Sequence, residues 1–189
     1  MRTKLITMSL ALVLALGAAA CGEDDDVPVA GSGAESGEQA ETPAPTEAPA
    51  EGGDVDALVA SVTKDLKTKP EFSAPSGEPP AELITEDIVE GKGPKAQPGD
   101  NITMQYVGVS WSTGEQFDSS WDRNEAFPFQ LGAGMVIPGW DQGIVGMRKG
   151  GRRILVIPPD MGYGPQGSGP IGPNETLVFV VDLKQVNAR

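Results

Sequence analysis

Beyond residue 80, apolar and polar side chains alternate in short runs, which is typical of half-buried β-strands. Ile102, Met104 and Tyr106 alternate with their neighbours, and the segment Leu177–Leu183 repeats the pattern. A dense apolar run from Arg152 to Ile157 lies between them. Glycine and proline separate these runs, as turns require. The pattern therefore predicts several strands joined by tight turns.

One segment has the period of a short amphipathic helix. It spans Pro138–Met147, where proline is accepted in the first helical turn. Ile137, Trp140, Ile144 and Met147 fall on one face of such a helix. Many strands and one helix predict an α+β fold, an antiparallel β-sheet half-barrel wrapped around one short α-helix.

The segment from Val55 to Pro80 is open to two interpretations. A helix beginning after Asp54 as its N-cap would place an apolar stripe on one face, formed by Val55, Leu58, Val59, Val62 and Leu66. The β-branched content and the prolines between residues 70 and 80 favour an extended segment packed on the domain edge. We expect the extended structure.

The N-terminus has the pattern of an export signal. Arg2 and Lys4 precede the apolar run Leu10–Leu16, so we assign residues 1–20 to a signal peptide. The run is shorter than the roughly 20 apolar residues of a transmembrane helix. We therefore expect export rather than membrane spanning.

Cys21 is the only cysteine, so no intramolecular disulfide is possible. Its position directly after the apolar run resembles a bacterial lipobox, in which a lipid is attached to this sulfur and cleavage makes the cysteine the new N-terminus. Leu is preferred three residues earlier, where this chain has Ala18. The alternative is cleavage after the A-x-A site 18–20, which releases a soluble protein. We favour an extracytoplasmic lipoprotein, anchored to the bacterial cell membrane through Cys21.

The net charge of -13 comes mostly from the segment that follows. Residues 22–54 hold ten acidic side chains and no basic one, with few large apolar groups. Such a composition cannot offset the entropy lost on ordering. We expect a disordered linker over residues 21–70, partly ordered after 55, and an independently folding domain over 71–189. The acidity argues against nucleic acid as a partner.

The absence of histidine removes several chemistries from the chain. A Ser-His-Asp triad, a Cys-His pair and the common histidine-based zinc sites all require it. Asp118 and Asp122 are candidates for a carboxylate pair, but a spacing of four in a loop does not fix their separation. We expect no metal and no cofactor.

Several spaced segments place many aromatic side chains around one aspartate and one arginine. These segments are Tyr106–Gly108, Gly114–Phe129, Val136–Asp141, Tyr163–Gly164 and Leu177–Phe179. From Glu82 to Lys184 the chain resembles the FKBP-type peptidyl-prolyl isomerases, the family that binds the macrolide tacrolimus. The resemblance implies the same α+β half-barrel and an isomerase acting on X-Pro bonds.

The resemblance also assigns the site. It implies catalytic positions at Asp118, Tyr163, Tyr106 and Phe117, and substrate-binding positions at Trp140, Phe127, Val136, Ile137, Phe179, Arg123 and Ile171. Trp140 would form the pocket floor, and the Tyr163 phenol and the Ile137 N–H would donate to the ligand. Asp118 would orient the substrate or pair with Arg123 and Tyr106, whereas Asp122 with Arg123 could equally form a surface pair. In the Gly-rich loop 164–173, only Ile171 is expected to contact a ligand.

The function implied is prolyl isomerisation that assists the folding of exported proteins. A desolvated apolar site would favour the twisted amide over the planar one, without proton transfer. We expect a monomer that acts on proline-containing exported polypeptides and binds tacrolimus-like macrolides as inhibitors. The alternative is a non-catalytic module for proline segments, or a weak chaperone, tethered at the cell surface.

Overall fold

In the computed structural model, which describes residues 54–188, the three strand segments named from the sequence join three further strands in one six-stranded sheet. Two short helices accompany it, α1 (Val55–Ser61) and α2 (Pro138–Gly143). Neither they nor any other helix in this part of the chain has the length and apolar character needed to cross a membrane. The strands are β1 (Ile84–Val89), β2 (Asn101–Ser110), β3 (Gln116–Ser119), β4 (Phe127–Gln130), β5 (Arg152–Ile157) and β6 (Leu177–Asn187).

All the strand pairings are antiparallel, in the order β1-β5-β6-β2-β3. Strand β2 pairs with β6 along its whole length. Its other edge pairs first with β4, at Asn101–Met104, and then with β3, at Val107–Val109. The chain between β3 and β4, residues 120–126, therefore leaves the sheet, and we call it the pocket loop.

Helix α2 packs against one face of this sheet. It begins at Pro138, as predicted, but ends at Gly143 rather than Met147. Gly146 then adopts a φ of 80°, a left-handed conformation that ends the helical path. A Cβ added at Gly139 would lie 2.8 Å from Ile157 Cδ1, so glycine allows the helix to approach β5 closely. The expected α+β fold, an antiparallel sheet around one short helix, is confirmed.

Alternate residues of the strands build two separate cores. On the inner face, Leu155, Phe179 and Val181 join Trp140 and Ile144 of the α2 region in one cluster. On the outer face, the residues between them form a second cluster. The strand residues of this outer cluster are Val107, Val109, Ile154, Val156, Val178 and Val180. The period-two pattern of the sequence therefore places two apolar faces, not one, on the central strands.

Residues 54–74 cover the outer cluster, and we call them the N-terminal strap. The Asp54 carboxylate accepts the Ala57 N–H at 2.9 Å and caps α1. Leu58 and Val62 are buried in the outer cluster, each with 3% of its surface exposed. The expectation of extended structure is therefore wrong for Val55–Ser61, because the apolar stripe of a helix covers the valines of the sheet. The folded part begins before residue 71, and Leu58 and Val62 supply apolar surface to its core.

A buried ion pair fastens the strap to the sheet. Arg152 has no exposed surface, and its Nε and Nη2 donate to the two oxygens of Asp182 at 2.6 and 2.8 Å. The same guanidinium donates to the carbonyls of Thr63 at 2.6 Å and Thr68 at 3.1 Å. A buried charge needs such complete pairing because its desolvation is costly. The strap is thus tied to β5 and β6 at two points of its backbone.

Candidate functional site

A pocket of about 380 Å³ opens on the inner face of the sheet, beside the N-terminus of α2. All the site residues predicted from the sequence, except Arg123, line it. They come from strands β2, β3, β4 and β6, from the start of α2 and from the loops after β5. The predicted residues that line the pocket are Tyr106, Phe117, Asp118, Phe127, Val136, Ile137, Trp140, Tyr163, Ile171 and Phe179.

Trp140 lies at the centre of the aromatic set. Its ring centroid is 5.1 Å from that of Tyr106 and 5.2 Å from that of Phe179, both in edge-to-face geometry. Phe127 stands 6.1 Å away in the same manner. Trp140 is only 4% exposed and Phe179 likewise 4%, so both are fixed by packing. The indole is therefore a rigid, dry surface for an apolar ring.

The Phe117 ring reaches the pocket because it packs over a glycine of β2. A Cβ added at Gly108 would lie 2.6 Å from Phe117 Cζ and 2.8 Å from Phe179 Cε1. The two rings meet edge to face over this glycine, with their centroids 5.4 Å apart. Any larger residue at position 108 would displace one of these walls.

One polar network enters this apolar wall. The Tyr106 hydroxyl donates to Asp118 Oδ2, and Arg123 Nη1 donates to Asp118 Oδ1. Arg123 Nη2 donates to the Tyr106 hydroxyl at 2.8 Å, and the Ser119 N–H donates to Asp118 at 2.8 Å. Arg123 thus does not line the pocket but holds the carboxylate and the phenol that do.

The two aspartates of this region have separate partners. Asp122 binds Lys69 and Gln116, not Arg123, so the alternative of a surface pair between Asp122 and Arg123 does not form. Asp122 also lies outside the pocket lining, whereas Asp118 belongs to it. The two carboxylates therefore do not face one substrate, and acid-base catalysis by this pair has no geometric basis here.

The network fixes the charge states of the pocket. Burial disfavours a charge on Asp118, but the hydrogen bonds from Tyr106 and Arg123 outweigh it and hold the pKa of this carboxyl below its usual value. Burial and the hydrogen bond to Asp118 raise the pKa of the Tyr106 phenol. Burial and then the Asp118 charge raise the pKa of Tyr163. Near neutral pH the carboxyl is thus charged and both phenols are protonated.

Two hydrogen-bond donors at the pocket are available to a ligand. The Tyr163 hydroxyl makes no hydrogen bond to the described residues, and the Tyr163 side chain is 39% exposed. The Ile137 N–H, at the cap of α2, has no acceptor within residues 54–188 either. Both therefore have hydrogen-bonding capacity that a bound carbonyl would satisfy.

The Gly-rich loop contributes more to the pocket than the sequence indicated. Ile171 lines it as expected, but Ser168, Gly169 and Pro170 line it too, as does the exposed Met135. Ser168 and Ile171 exchange two backbone hydrogen bonds of 2.9 Å and turn this short segment toward the pocket. Glycine and proline carry no periodic signal, so only the turn geometry reveals these contacts.

The described residues contain no group of three or more potential metal ligands. The pocket instead offers a desolvated aromatic floor, two free donors and one fixed charge at its edge. These features are suited in size and polarity to a compact apolar ring with neighbouring carbonyls.

An antiparallel sheet around one short helix, with a tryptophan-floored pocket at the helix N-terminus, defines the FKBP class of fold. The crystal structure of AtFKBP13 matches with a TM-score of 0.53 and 39% identity, covering 56% of this chain and 94% of that chain. The crystal structure of FkpA from Escherichia coli matches with a TM-score of 0.52 and 39% identity, covering 56% of this chain and 48% of that chain.

Sequence comparison gives the family. Residues 93–184 match the family of the FKBP-type peptidyl-prolyl cis-trans isomerases. An FK506-binding protein of Streptomyces anulatus is 57% identical over 120 residues, which cover 62% of this chain and 97% of that protein. An FK506-binding protein of Neisseria meningitidis serogroup A is 49% identical over 106 residues, which cover 55% of this chain and 95% of that protein. The chain belongs to the FKBP-type family and is a peptidyl-prolyl cis-trans isomerase.

Proposed function

We propose that this isomerase assists the folding of exported proteins outside the cytoplasmic membrane, by binding the twisted form of an X-Pro amide in its aromatic pocket. The observation that supports this mechanism is the combination of a dry indole floor with two free donors at its edge. This mechanism requires no side chain that gains or loses a proton during turnover.

The barrier to X-Pro rotation arises from amide resonance and is about 18 to 20 kcal/mol. In the twisted amide this resonance is broken, and the carbonyl carries less charge than in the planar form. The planar form is therefore better hydrated, and it loses more hydration free energy than the twisted form when water is removed. A pocket that grips the proline ring on Trp140 and excludes water thus favours the transition state over the ground state.

The free donors give the bound chain its orientation. The Ile137 N–H and the Tyr163 hydroxyl can each donate a hydrogen bond to one backbone carbonyl of the substrate. The Asp118 carboxylate, fixed by Arg123 and Tyr106, places a negative charge at the pocket wall, where it interacts with the carbonyl dipole of the rotating amide. These contacts hold the substrate chain on both sides of the proline while the X-Pro amide bond rotates.

Export and anchoring rest on residues outside the described part of the chain, where the signal segment 1–20, Cys21 and the acidic linker lie. The strap gives one structural argument for a tethered arrangement. It packs on the outer face of the sheet, while the pocket opens on the inner face. The described chain thus begins on the face opposite the pocket, so its own N-terminal segment leaves the pocket accessible to clients. Two acyl chains on Cys21 would retain the protein at the membrane, since one chain binds only marginally.

The partners that fit this pocket are proline-containing exported polypeptides. Tacrolimus-like macrolides would compete for the same aromatic surface. We propose that the domain acts as a monomer, because the residues of a single chain suffice to form this pocket.

A protease-coupled assay with a panel of X-Pro peptides tests the activity. We expect acceleration of cis-to-trans exchange, with inhibition by a tacrolimus-like macrolide. Binding of the macrolide without acceleration of any peptide would instead indicate a non-catalytic binding module.

Membrane fractionation tests the anchor separately. The wild-type protein should be found in the membrane fraction, and Cys21→Ser should leave it uncleaved or released to the medium. Wild-type protein found entirely in the soluble fraction would refute the lipoprotein assignment while leaving the isomerase activity unaffected.

A further inference from the structure

The pocket loop, residues 120–126, carries the arginine that organises the pocket but has little structure of its own. Its internal hydrogen bonds are Asn124 N–H to the Trp121 carbonyl at 3.1 Å and Glu125 N–H to the Ser120 carbonyl at 3.2 Å. Asn124 adopts a φ of 51° at the turn. A loop of this kind needs outside contacts to hold one conformation.

Ser120 is held by β2, since its N–H donates to the Tyr106 carbonyl at 3.1 Å and its Oγ accepts the Tyr106 N–H at 2.7 Å. The contacts of the next two residues come from the outer side of the sheet. Lys69 of the strap donates to both carboxylate oxygens of Asp122 at 2.8 Å, and Gln116 Nε2 donates to one of them at 2.8 Å. Trp121 packs against the outer cluster, and the Lys184 ammonium lies 5.6 Å from the centroid of its ring system. Residues 121 and 122 are therefore held by the outer face, while residue 123 points to the pocket network.

The lysine is itself held in place. It directly follows Thr68, whose carbonyl accepts a hydrogen bond of 3.1 Å from the fully buried Arg152. A continuous series of contacts thus runs from the buried ion pair, through the strap, to the loop that presents Arg123.

The charges of this region also compete. Asp122 adjoins Arg123 in sequence, so a carboxylate without its lysine could draw the guanidinium away from Asp118. Lys69 neutralises Asp122, and Arg123 then pairs with Asp118 and Tyr106. On this argument the strap would decide which of the two aspartates the arginine binds.

We propose that Lys69 and Asp122 are positioning residues of the isomerase, which keep the pocket loop in the conformation where Arg123 holds Asp118 and Tyr106. The N-terminal strap is then a working part of the active site as well as a cover for the sheet. This inference rests on the proposed role of the Asp118 network in turnover.

The test compares two lysines of the strap in the full-length protein. Lys69→Ala should lower kcat/KM by roughly 3- to 10-fold, since small displacements of catalytic groups are costly. Lys67→Ala removes the same charge from a lysine whose backbone N–H donates to Asp65, but whose side chain makes no hydrogen bond or ion pair with the described residues. This variant should leave the rate unchanged. Lys69→Arg should retain most of the activity, because it keeps the charge and the donors.

Two further measurements separate positioning from general stability. The charge-reversed double variant, Lys69→Asp with Asp122→Lys, should regain activity that each single change loses. The guanidinium resonances of Arg123 in NMR spectra should shift in Lys69→Ala and not in Lys67→Ala. High salt should also bring the wild type toward Lys69→Ala, because this pair is exposed and therefore screened.

The outcomes are distinguishable. Equal rates and equal Arg123 spectra in Lys69→Ala and Lys67→Ala, with an active wild type, would overturn the inference alone. Loss of stability without loss of rate in Lys69→Ala would overturn it as well, by showing a purely structural contact. A wild type that accelerates no X-Pro peptide would instead refute the proposed function.

Discussion

Phe179 and Ile154 lie in the sheet core on opposite faces of neighbouring strands, and truncating each should separate stability from catalysis. Phe179 is 4% exposed and belongs to the inner cluster and the pocket wall. Ile154 is fully buried in the outer cluster and does not line the pocket. Phe179→Ala and Ile154→Ala therefore form a matched pair.

The stability losses should be of similar size. Truncation of a buried phenylalanine costs about 3–5 kcal/mol, and of a buried isoleucine about 2–5 kcal/mol. The Phe179 ring also has edge-to-face neighbours, with centroids at 5.2 Å for Trp140 and 5.4 Å for Phe117. The space it leaves joins the open pocket, where water can enter, so we expect the lower end of its range.

The losses of activity should differ. If the missing Phe179 ring removes roughly 50–100 Å² of apolar contact with the substrate, the transition state loses about 1–2.5 kcal/mol. That energy corresponds to a decrease of roughly 5- to 70-fold in kcat/KM. Ile154→Ala removes no pocket surface, so its kcat/KM should equal that of the wild type as long as the protein is folded.

Urea unfolding followed by tryptophan fluorescence measures the loss of stability, and the protease-coupled assay at low temperature measures the loss of kcat/KM. Phe179→Leu serves where the alanine variant does not fold, with smaller effects in the same direction. If Ile154→Ala loses as much activity as Phe179→Ala at equal folded fraction, then the rate depends on the stability of the sheet, and the desolvated pocket does not explain catalysis.

Four other experiments test the remaining interactions. The value of kcat/KM should be flat between about pH 6 and 9, because the pKa of Asp118 is lowered below its ordinary acidic value and that of Tyr106 is raised. Asp118→Asn should reduce the rate only partly. A pH profile that changes near neutrality in the wild type, and no longer does so in Asp118→Asn, would contradict the mechanism. The stabilisation from the charged Asp118 should be lost as pH falls through its lowered pKa, and that from the protonated Tyr106 as pH rises through its raised pKa, both visible in urea midpoints. Arg152→Met should cost about 3–5 kcal/mol by leaving Asp182 buried and unpaired, while the double variant with Asp182→Leu should recover much of this loss in the same urea experiment. Deletion of the whole strap should lower the thermal midpoint in calorimetry, whereas deletion of residues 1–53 should not, and equal midpoints would show that the strap covers the sheet without stabilising it.

The sequence alone determined the parts of this protein that depend on local periodicity and local motifs. Alternation at Ile102, Met104 and Tyr106 predicted β2, because a strand places successive side chains on opposite faces. Proline at position 138, followed by an apolar face, predicted α2. The family resemblance carried by the spaced aromatic motifs assigned site residues that, Arg123 excepted, lie in the lining of one pocket.

Tertiary structure decided the parts that depend on residues distant in the chain. The stripe of Val55 and Leu58 fits a helix as well as an edge segment, and the uncovered valines of the outer face selected the helix. Arg152 stands in an apolar run and gives no sign that it is buried until Asp182 and the strap carbonyls surround it.

The partner of Arg123 shows the same limit most clearly. Locally, Asp118 and Asp122 are both within its reach, and no periodic pattern distinguishes them. The choice follows from Lys69, which lies 53 positions before Asp122 and occupies that carboxylate. Sequence patterns specify which face of an element is apolar, but the pairing of charges depends on which distant segments the packed sheet brings together.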